Sequence, residues 1–219
     1  MHPDFDLVIF DCDGVLVDSE PLALRINADM LAELGWQLTD EEIIDRFVGR
    51  SMASNVRVIE EHLGHAVPAV WIDRFRDRVT AAHEEHLTEI AGVREALTDI
   101  TASGLRVCVA SSGRPDRIRH SLALVGLSDV FGDAIFSATQ VAHGKPAPDL
   151  FLLAAATLTT EPARCAVIED SRYGVQAARA AGMYAYGYAG GLTPATWLEG
   201  PRTTVFTDMR KLPGLLAAS

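Results

Sequence analysis

Short, nearly continuous apolar runs recur along the chain with amphipathic stretches between them. LVIF (7–10), VCVAS (107–111), AIF (134–136), AVIE (166–169) and MYAYGY (183–188) have the length and pattern of strands buried on both faces, which predicts a parallel sheet. The intervening segments repeat at helical spacing. Pro115 opens one with Ile118, Leu122 and Val125 on a single face, and Gly126 closes it. A second, 147–158, carries Leu150, Phe151, Ala154, Ala155 and Leu158 as one stripe. A third, 172–181, is small on its inner face and stops at Gly182, as close packing on a sheet requires. Strands alternating with helices predict an α/β fold, a Rossmann-like doubly wound parallel sheet.

One stretch breaks the alternation. Roughly a hundred residues separate the first two strands, far more than one crossover helix uses. Leu22, Ile26, Met30 and Leu34 recur at four-residue spacing before Gly35, and Ile72, Phe75, Val79 and Ala82 form another stripe. Helices are also expected at 41–47 and 53–63. The pattern predicts an inserted all-helical cap domain over 16–88, with a helix at 93–102 returning the chain to a core built from 1–15 and 89–219.

The formal net charge of −11, from 30 acidic and 19 basic residues, disfavours nucleic acid and anionic lipid as partners, and no basic patch offsets it. No apolar run reaches membrane-spanning length, and the N-terminus lacks the basic and apolar segments of a signal peptide, so a cytoplasmic protein is expected. Cys12, Cys108 and Cys165 are odd in number and lie in or beside strand patterns, as reduced core thiols do. Strand alternation turns Cys12 away from its neighbours Asp11 and Asp13.

Ligands in open α/β sheets bind at the carboxyl ends of the strands. Those ends carry Asp11 and Asp13, Ser111 and Ser112, Lys145 in HGKPAPD, and Glu169 and Asp170. Four carboxylates gathered there cannot all stay ionised without a cation, and oxygen donors without paired His or Cys point to Mg²⁺. Magnesium favours phosphate, Ser111 can donate to a phosphate oxygen, and Lys145 can neutralise another. The chemistry these residues suggest is phosphoryl transfer.

DCDGVLVDS, the VASS strand end, GKPAPD and VIEDS, in this order, resemble the four motifs of the haloacid dehalogenase superfamily, and the helical segment resembles its first type of cap. The resemblance implies that Asp11 attacks phosphorus to give an aspartyl phosphate, while Asp13 protonates the leaving oxygen and then activates water. It implies Mg²⁺ held by Asp11, the Asp13 backbone carbonyl and Asp170, with Glu169 as a ligand directly or through water. Gly14 lets the chain leave the strand in a conformation denied to bulkier residues. Asp18 and Ser19 fall where a helix cap is expected.

Within the superfamily, Asp13 is replaced in the dehalogenases proper, and phosphonatases use a cap lysine, whereas this chain has no lysine before Lys145. The β-phosphoglucomutases remain the alternative. They carry a cap-hinge histidine where this chain has Ala23, which favours hydrolysis, and their cap arginine has only an approximate counterpart in FVGRSMASN. The chain also resembles phosphatases of sugar phosphates and related metabolites, of the 6-phosphogluconate phosphatase type, in motif context and in the tail TTVFTDMRKLPGLL. Arg50 and Arg25 are candidate substrate contacts.

Other signals point elsewhere only weakly. HEEH (83–86) spaces its histidines three apart, unlike a helical zinc site, GKP (144–146) lacks the rest of a P-loop, and Ser111 has no G-x-S-x-G frame. Gly190 and Gly191 are expected in a loop near the rim of the site. The sequence therefore predicts a monomer or weak homodimer acting on a small phosphorylated metabolite, with a noncatalytic phosphate-ligand binding protein as the remaining alternative.

Overall fold

The computed structural model describes residues 5–218. Residues 1–4 and 219, the ends of the two expected core segments and the start of the N-terminal reading, lie outside them. In chain order the elements are β1 (Leu7–Phe10), α1 (Glu20–Glu33), α2 (Asp40–Phe47), α3 (Met52–Leu63), α4 (Ala69–His86) and α5 (Val93–Ala102). Next come β2 (Arg106–Ser111), α6 (Pro115–Leu124), α7 (Ser128–Phe131), β3 (Ile135–Ser137), α8 (Asp149–Thr157), β4 (Cys165–Glu169) and α9 (Arg172–Ala180). The chain continues through β5 (Tyr184–Tyr188), α10 (Ala195–Leu198), β6 (Thr203–Phe206) and α11 (Leu212–Ala217).

The six strands form one parallel sheet in the order β3-β2-β1-β4-β5-β6. Order reverses at β1, so the carboxyl ends of β1, β2 and β4 open onto a shared crevice. Side chains alternate between two cores. Val8, Phe10, Val109 and Ile168 pack with α5, α6 and α11, while Leu7, Ile9, Cys108 and Val167 pack with α8 and α9. Burial on both faces explains why the strands read as continuous apolar runs. The sixth strand, TTVF, is missing from the expected set because it lies at the sheet edge and its first three residues are only partly buried.

The chain leaves the sheet and returns to it through adjacent segments: Asp18 N donates to Thr88 O (2.8 Å), and Ile90 N donates to Leu16 O (3.1 Å). Between them α1–α4 bury their own cluster, which includes Met30, Leu31, Trp36, Ile43, Phe47, Trp71 and Phe75. The Trp36 ring stacks on His62 at 3.8 Å, and Trp71 Nε1 donates to Met30 O (3.2 Å). α2 begins with a capping box in which Thr39 accepts from Glu42 N and Glu42 accepts in return. The expected stripe of α4 faces inward: Phe75 is buried, and Ile72 and Val79 pack partly buried against this cluster while also lining, with Phe75, a cavity that faces the sheet; Trp71 and His83 are buried as well.

Phe10 is fully buried between the central strands and the helices of one face, its ring edge-on to Phe131. Phe10→Ala is expected to cost about 3–5 kcal/mol of stability, read from the midpoint of urea unfolding.

Candidate active site

The candidate site lies at the carboxyl ends of β1, β2 and β4, beneath the helical insertion. A cavity of about 840 Å³ separates the two, and Asp11, Asp13, Ser111, Ser112 and Arg50 are among its lining residues.

Asp11, Glu169 and Asp170 are buried, and each offers a ligand oxygen within 4.8 Å of the others. Lys145, also buried, is the organising counter-ion. Its Nζ lies 3.1 Å from Asp11 Oδ2 and 2.5 Å from Glu169 Oε1, and 5.1 Å from the centre of the Phe151 ring. Burial opposes its charge, but Asp11 and Glu169 hold the ammonium well above its ordinary pKa. The other Glu169 oxygen, Oε2, accepts from Ser171 N (2.9 Å) and Ser171 Oγ (2.8 Å), so both oxygens of Glu169 are already bonded.

One ammonium does not balance this group. Burial pushes the Asp11 carboxyl up to about 8 against the pull of Lys145, and burial with Glu20 and Glu169 pushes Asp170 well above the carboxylate range. The room around these oxygens is made by glycine. A Cβ on Gly14, whose φ is +73°, would lie 2.0 Å from Asp170 Oδ2, and one on Gly174 would lie 1.8 Å from Glu169 Cδ. An all-oxygen donor set with surplus negative charge, kept open by two glycines, fits a hard divalent cation.

Asp13 stands apart from that set. Arg117 Nη1 and Nη2 donate to its two oxygens (2.9 and 2.5 Å), and Ser19 Oγ donates to Oδ1 (2.9 Å). Burial alone would raise its pKa, yet Arg117 and Ser19 hold the carboxyl well below the usual range. Two neighbouring aspartates thus occupy opposite protonation regimes. Ser111 is buried, and its Oγ accepts from Gly113 N (3.1 Å). Ser112 Oγ donates to Gly49 O of the insertion (3.0 Å).

Two expectations, those for Ser19 and Arg25, need correction. Ser19 precedes α1 but makes no side-chain cap bond; its φ and ψ of −88° and −23° are helical, and its hydroxyl turns to Asp13. Arg25 is exposed and is not among the residues lining the cavity. Glu20, Ala23, Leu24 and Asn27 face it at helical spacing, and Arg25 falls between those positions. Cys12 is buried, and burial raises its thiol well above its ordinary pKa, the opposite of an activated nucleophile. His83 packs against Ser121 Oγ (3.3 Å) with burial lowering its pKa, while His86 is exposed beside Glu85, so HEEH forms no metal pair.

Sequence reading missed Arg117, Glu20, Arg172 and Tyr173. Glu20 lines the cavity with its carboxyl pushed up to about 8 by burial and by Asp13 and Asp11. The signal that could have found it is its place in the DSE that follows the aspartate loop. Arg117 carries no local signal, because its partner is 104 positions away.

Gly174→Ala should displace Glu169 from Lys145 and Ser171. We expect Mg²⁺ affinity, measured by titration calorimetry, to fall by at least about tenfold, the size seen when partners of metal ligands are lost. The pH dependence follows from Asp11 and Glu20, whose carboxyls sit near 8 in the fold. Stability from their protonated forms is complete below the ordinary carboxylate pKa of about 4 and is lost as pH rises toward 8. Chelator-treated protein should therefore melt at a lower temperature at pH 8 than at pH 5, and Mg²⁺ should restore more at pH 8; equal gains at both would contradict this charge balance.

Comparison with known proteins agrees with the geometry. The chain is 29% identical over 214 residues to 6-phosphogluconate phosphatase of Escherichia coli strain K12, covering 97% of this chain and 95% of that protein. It is 32% identical to fructose-1-phosphate phosphatase of the same organism, over 84% of this chain and 96% of the relative. A hydrolase from Deinococcus radiodurans R1, solved with bound phosphate and sodium, superposes with a TM-score of 0.76 at 33% identity, covering 98% of this chain and 96% of that one. The model of the haloacid dehalogenase-like hydrolases matches residues 5–182, and the chain belongs to that family.

Proposed function

We propose that this protein is a Mg²⁺-dependent phosphatase of small phosphorylated metabolites, sugar phosphates or phosphogluconate, working through an aspartyl phosphate. The observation that carries the reading is Asp11 itself, a buried carboxylate 3.1 Å from a buried lysine at the mouth of a large cavity.

In this reading Asp11 attacks phosphorus, its Oδ–P bond forming as the ester P–O bond breaks, and the leaving oxygen takes a proton from Asp13. Water then attacks the same phosphorus. Its proton goes to Asp13, the Oδ–P bond breaks, and inorganic phosphate and free Asp11 result. Ser111 and Lys145 bind the nonbridging oxygens of the phosphoryl group. Asp13 as observed, with Arg117 on both oxygens, is the ionised form. It acts as an acid only after releasing that pair.

Asp11, Asp170 and the Asp13 main-chain carbonyl would hold Mg²⁺, with Glu169 acting through water because its own oxygens are taken. Bound there, the cation supplies neutralising charge to Asp11 and to the phosphate.

The division at 16–88 makes the helical insertion a cap. Closure would exclude bulk water, with Arg50 contacting the organic part of the ester. Asn27, Asn55 and Thr80 add polar groups to the cavity wall, which suits a hydroxylated leaving group. Ala23 also lines the cavity, where the mutases carry histidine, and this supports transfer to water over transfer to a second sugar hydroxyl. No helix among the described residues is long and apolar enough to cross a membrane.

The test is phosphate release from a panel of sugar phosphates, phosphogluconate, nucleotides and an aryl phosphate, with Mg²⁺ and with chelator. Asp11→Asn should fold and lose turnover by at least about 10³-fold, since removal of a nucleophile leaves only binding and charge effects. Near-normal turnover in that variant would exclude the covalent route.

A further inference from the structure

One of the contacts between the helical insertion and the sheet domain centres on Tyr173, a residue that the proposed chemistry does not use. Tyr173, on the first turn of α9, donates its hydroxyl to the main-chain carbonyl of Asp45 at 3.1 Å. Arg172 makes an ion pair with the Asp45 carboxylate (2.7 Å) and lies over the rings of Tyr173 (5.3 Å) and Trp197 (5.5 Å). The other cation on the Tyr173 ring comes from the insertion: Arg50 Cζ lies 5.0 Å from its centre. Beside them Ser112 holds the Gly49 carbonyl, and Gly49 sits so close to Ser171 that a Cβ there would lie 2.1 Å from its Oγ.

Arg50 is fixed on both sides. Its hydrogen bonds, Nε to Ser54 Oγ (3.1 Å) and Nη1 to Arg46 O (3.3 Å), tie it to the insertion. The Tyr173 ring ties it to the sheet domain. A ring face attracts a cation, and Asp45 neutralises Arg172, so the ring can hold Arg50 without repulsion from its neighbour. The hydroxyl bond to Asp45 sets the orientation of that ring.

We propose that Tyr173 is a positioning residue: it fixes the Arg50 guanidinium at the cavity wall when the insertion sits on the sheet, and so couples ester recognition to closure. This rests on the phosphatase reading for the role of Arg50, but the contact itself does not.

Tyr173→Leu keeps an apolar side chain but removes the ring face and the hydroxyl; Tyr173→Phe removes the hydroxyl alone and keeps the face. With the ester that the panel prefers, Tyr173→Leu should raise KM about tenfold with kcat within about twofold, and Tyr173→Phe should stay within about threefold of the parent KM. Adding Tyr173→Leu to Arg50→Gln should change KM no further, since one residue acts through the other. Effects that multiply, or equal KM values for the Leu and Phe variants, would overturn the proposal. Hydrogen exchange needs no turnover. Residues 46–55 should exchange faster in Tyr173→Leu than in Tyr173→Phe, with the sheet unchanged. If the wild-type protein hydrolyses no ester, the phosphatase reading fails, and this exchange difference alone decides whether Tyr173 holds the Arg50 turn.

Discussion

The structure depends on keeping three carboxylates out of water beside a single ammonium. Asp11, Glu169 and Asp170 come from two adjacent strands, and Lys145 reaches them from the loop before α8. Burying such charges is costly unless each oxygen has a partner. Glu169 meets that demand completely through Lys145 and Ser171. Both Asp11 oxygens have partners too, Cys12 N (2.7 Å) and Lys145 Nζ (3.1 Å), yet burial and the neighbouring carboxyls outweigh one ammonium, and the raised pKa values of Asp11 and Asp170 express that conflict. A cation resolves it, and the loops around the cluster are shaped accordingly, with glycine at 14 and 174 where any side chain would collide with a carboxylate.

How far the sequence reveals this arrangement follows from the range of the forces involved. Strands buried on both faces leave continuous apolar runs, and β1, β2, β4 and β5 were legible within a residue at each end. The half-exposed edge strand β6 leaves no such run. The acidic cluster was legible because strand order sends all strand ends to one edge, so residues far apart in sequence could be placed together from topology alone. Arg117 and Tyr173 were not. Asp13 meets Arg117 from 104 positions away within the sheet domain, and the Arg50 turn meets Tyr173 across the junction with the insertion, so no periodicity relates the partners in either pair. Ser19 misled for a related reason: a serine before a helix has the composition of a cap, but only its backbone angles reveal which acceptor its hydroxyl reaches.

Similarity to phosphatases extends across nearly the whole chain, which includes the insertion as well as the motifs on the sheet. That matters because, in the proposed reaction, the motifs on the sheet would act on the phosphoryl group, whereas the cavity wall formed by α1–α4 would face the rest of the substrate. A shared fold leaves the second question open, and in the proposed reading the cavity-lining side chains Arg50, Asn27 and Asn55 would bear on it.

Asp13 joins the two parts. It belongs to the loop after β1, yet its carboxylate is held by Ser19, where the chain passes toward the insertion, and by Arg117, on the first turn of α6. A carboxylate with a guanidinium on both oxygens has no proton to give and is a weak base, so neither half of the proposed reaction uses it as it stands. Its release must therefore accompany substrate binding or movement of the segment that carries Ser19. In the proposed reaction Asp11 and Asp170 exchange no proton with the substrate, whereas the acid–base at Asp13 would change state twice per turnover. Placing Asp13 within reach of Ser19, where the chain enters the insertion, would tie that change to the position of the insertion.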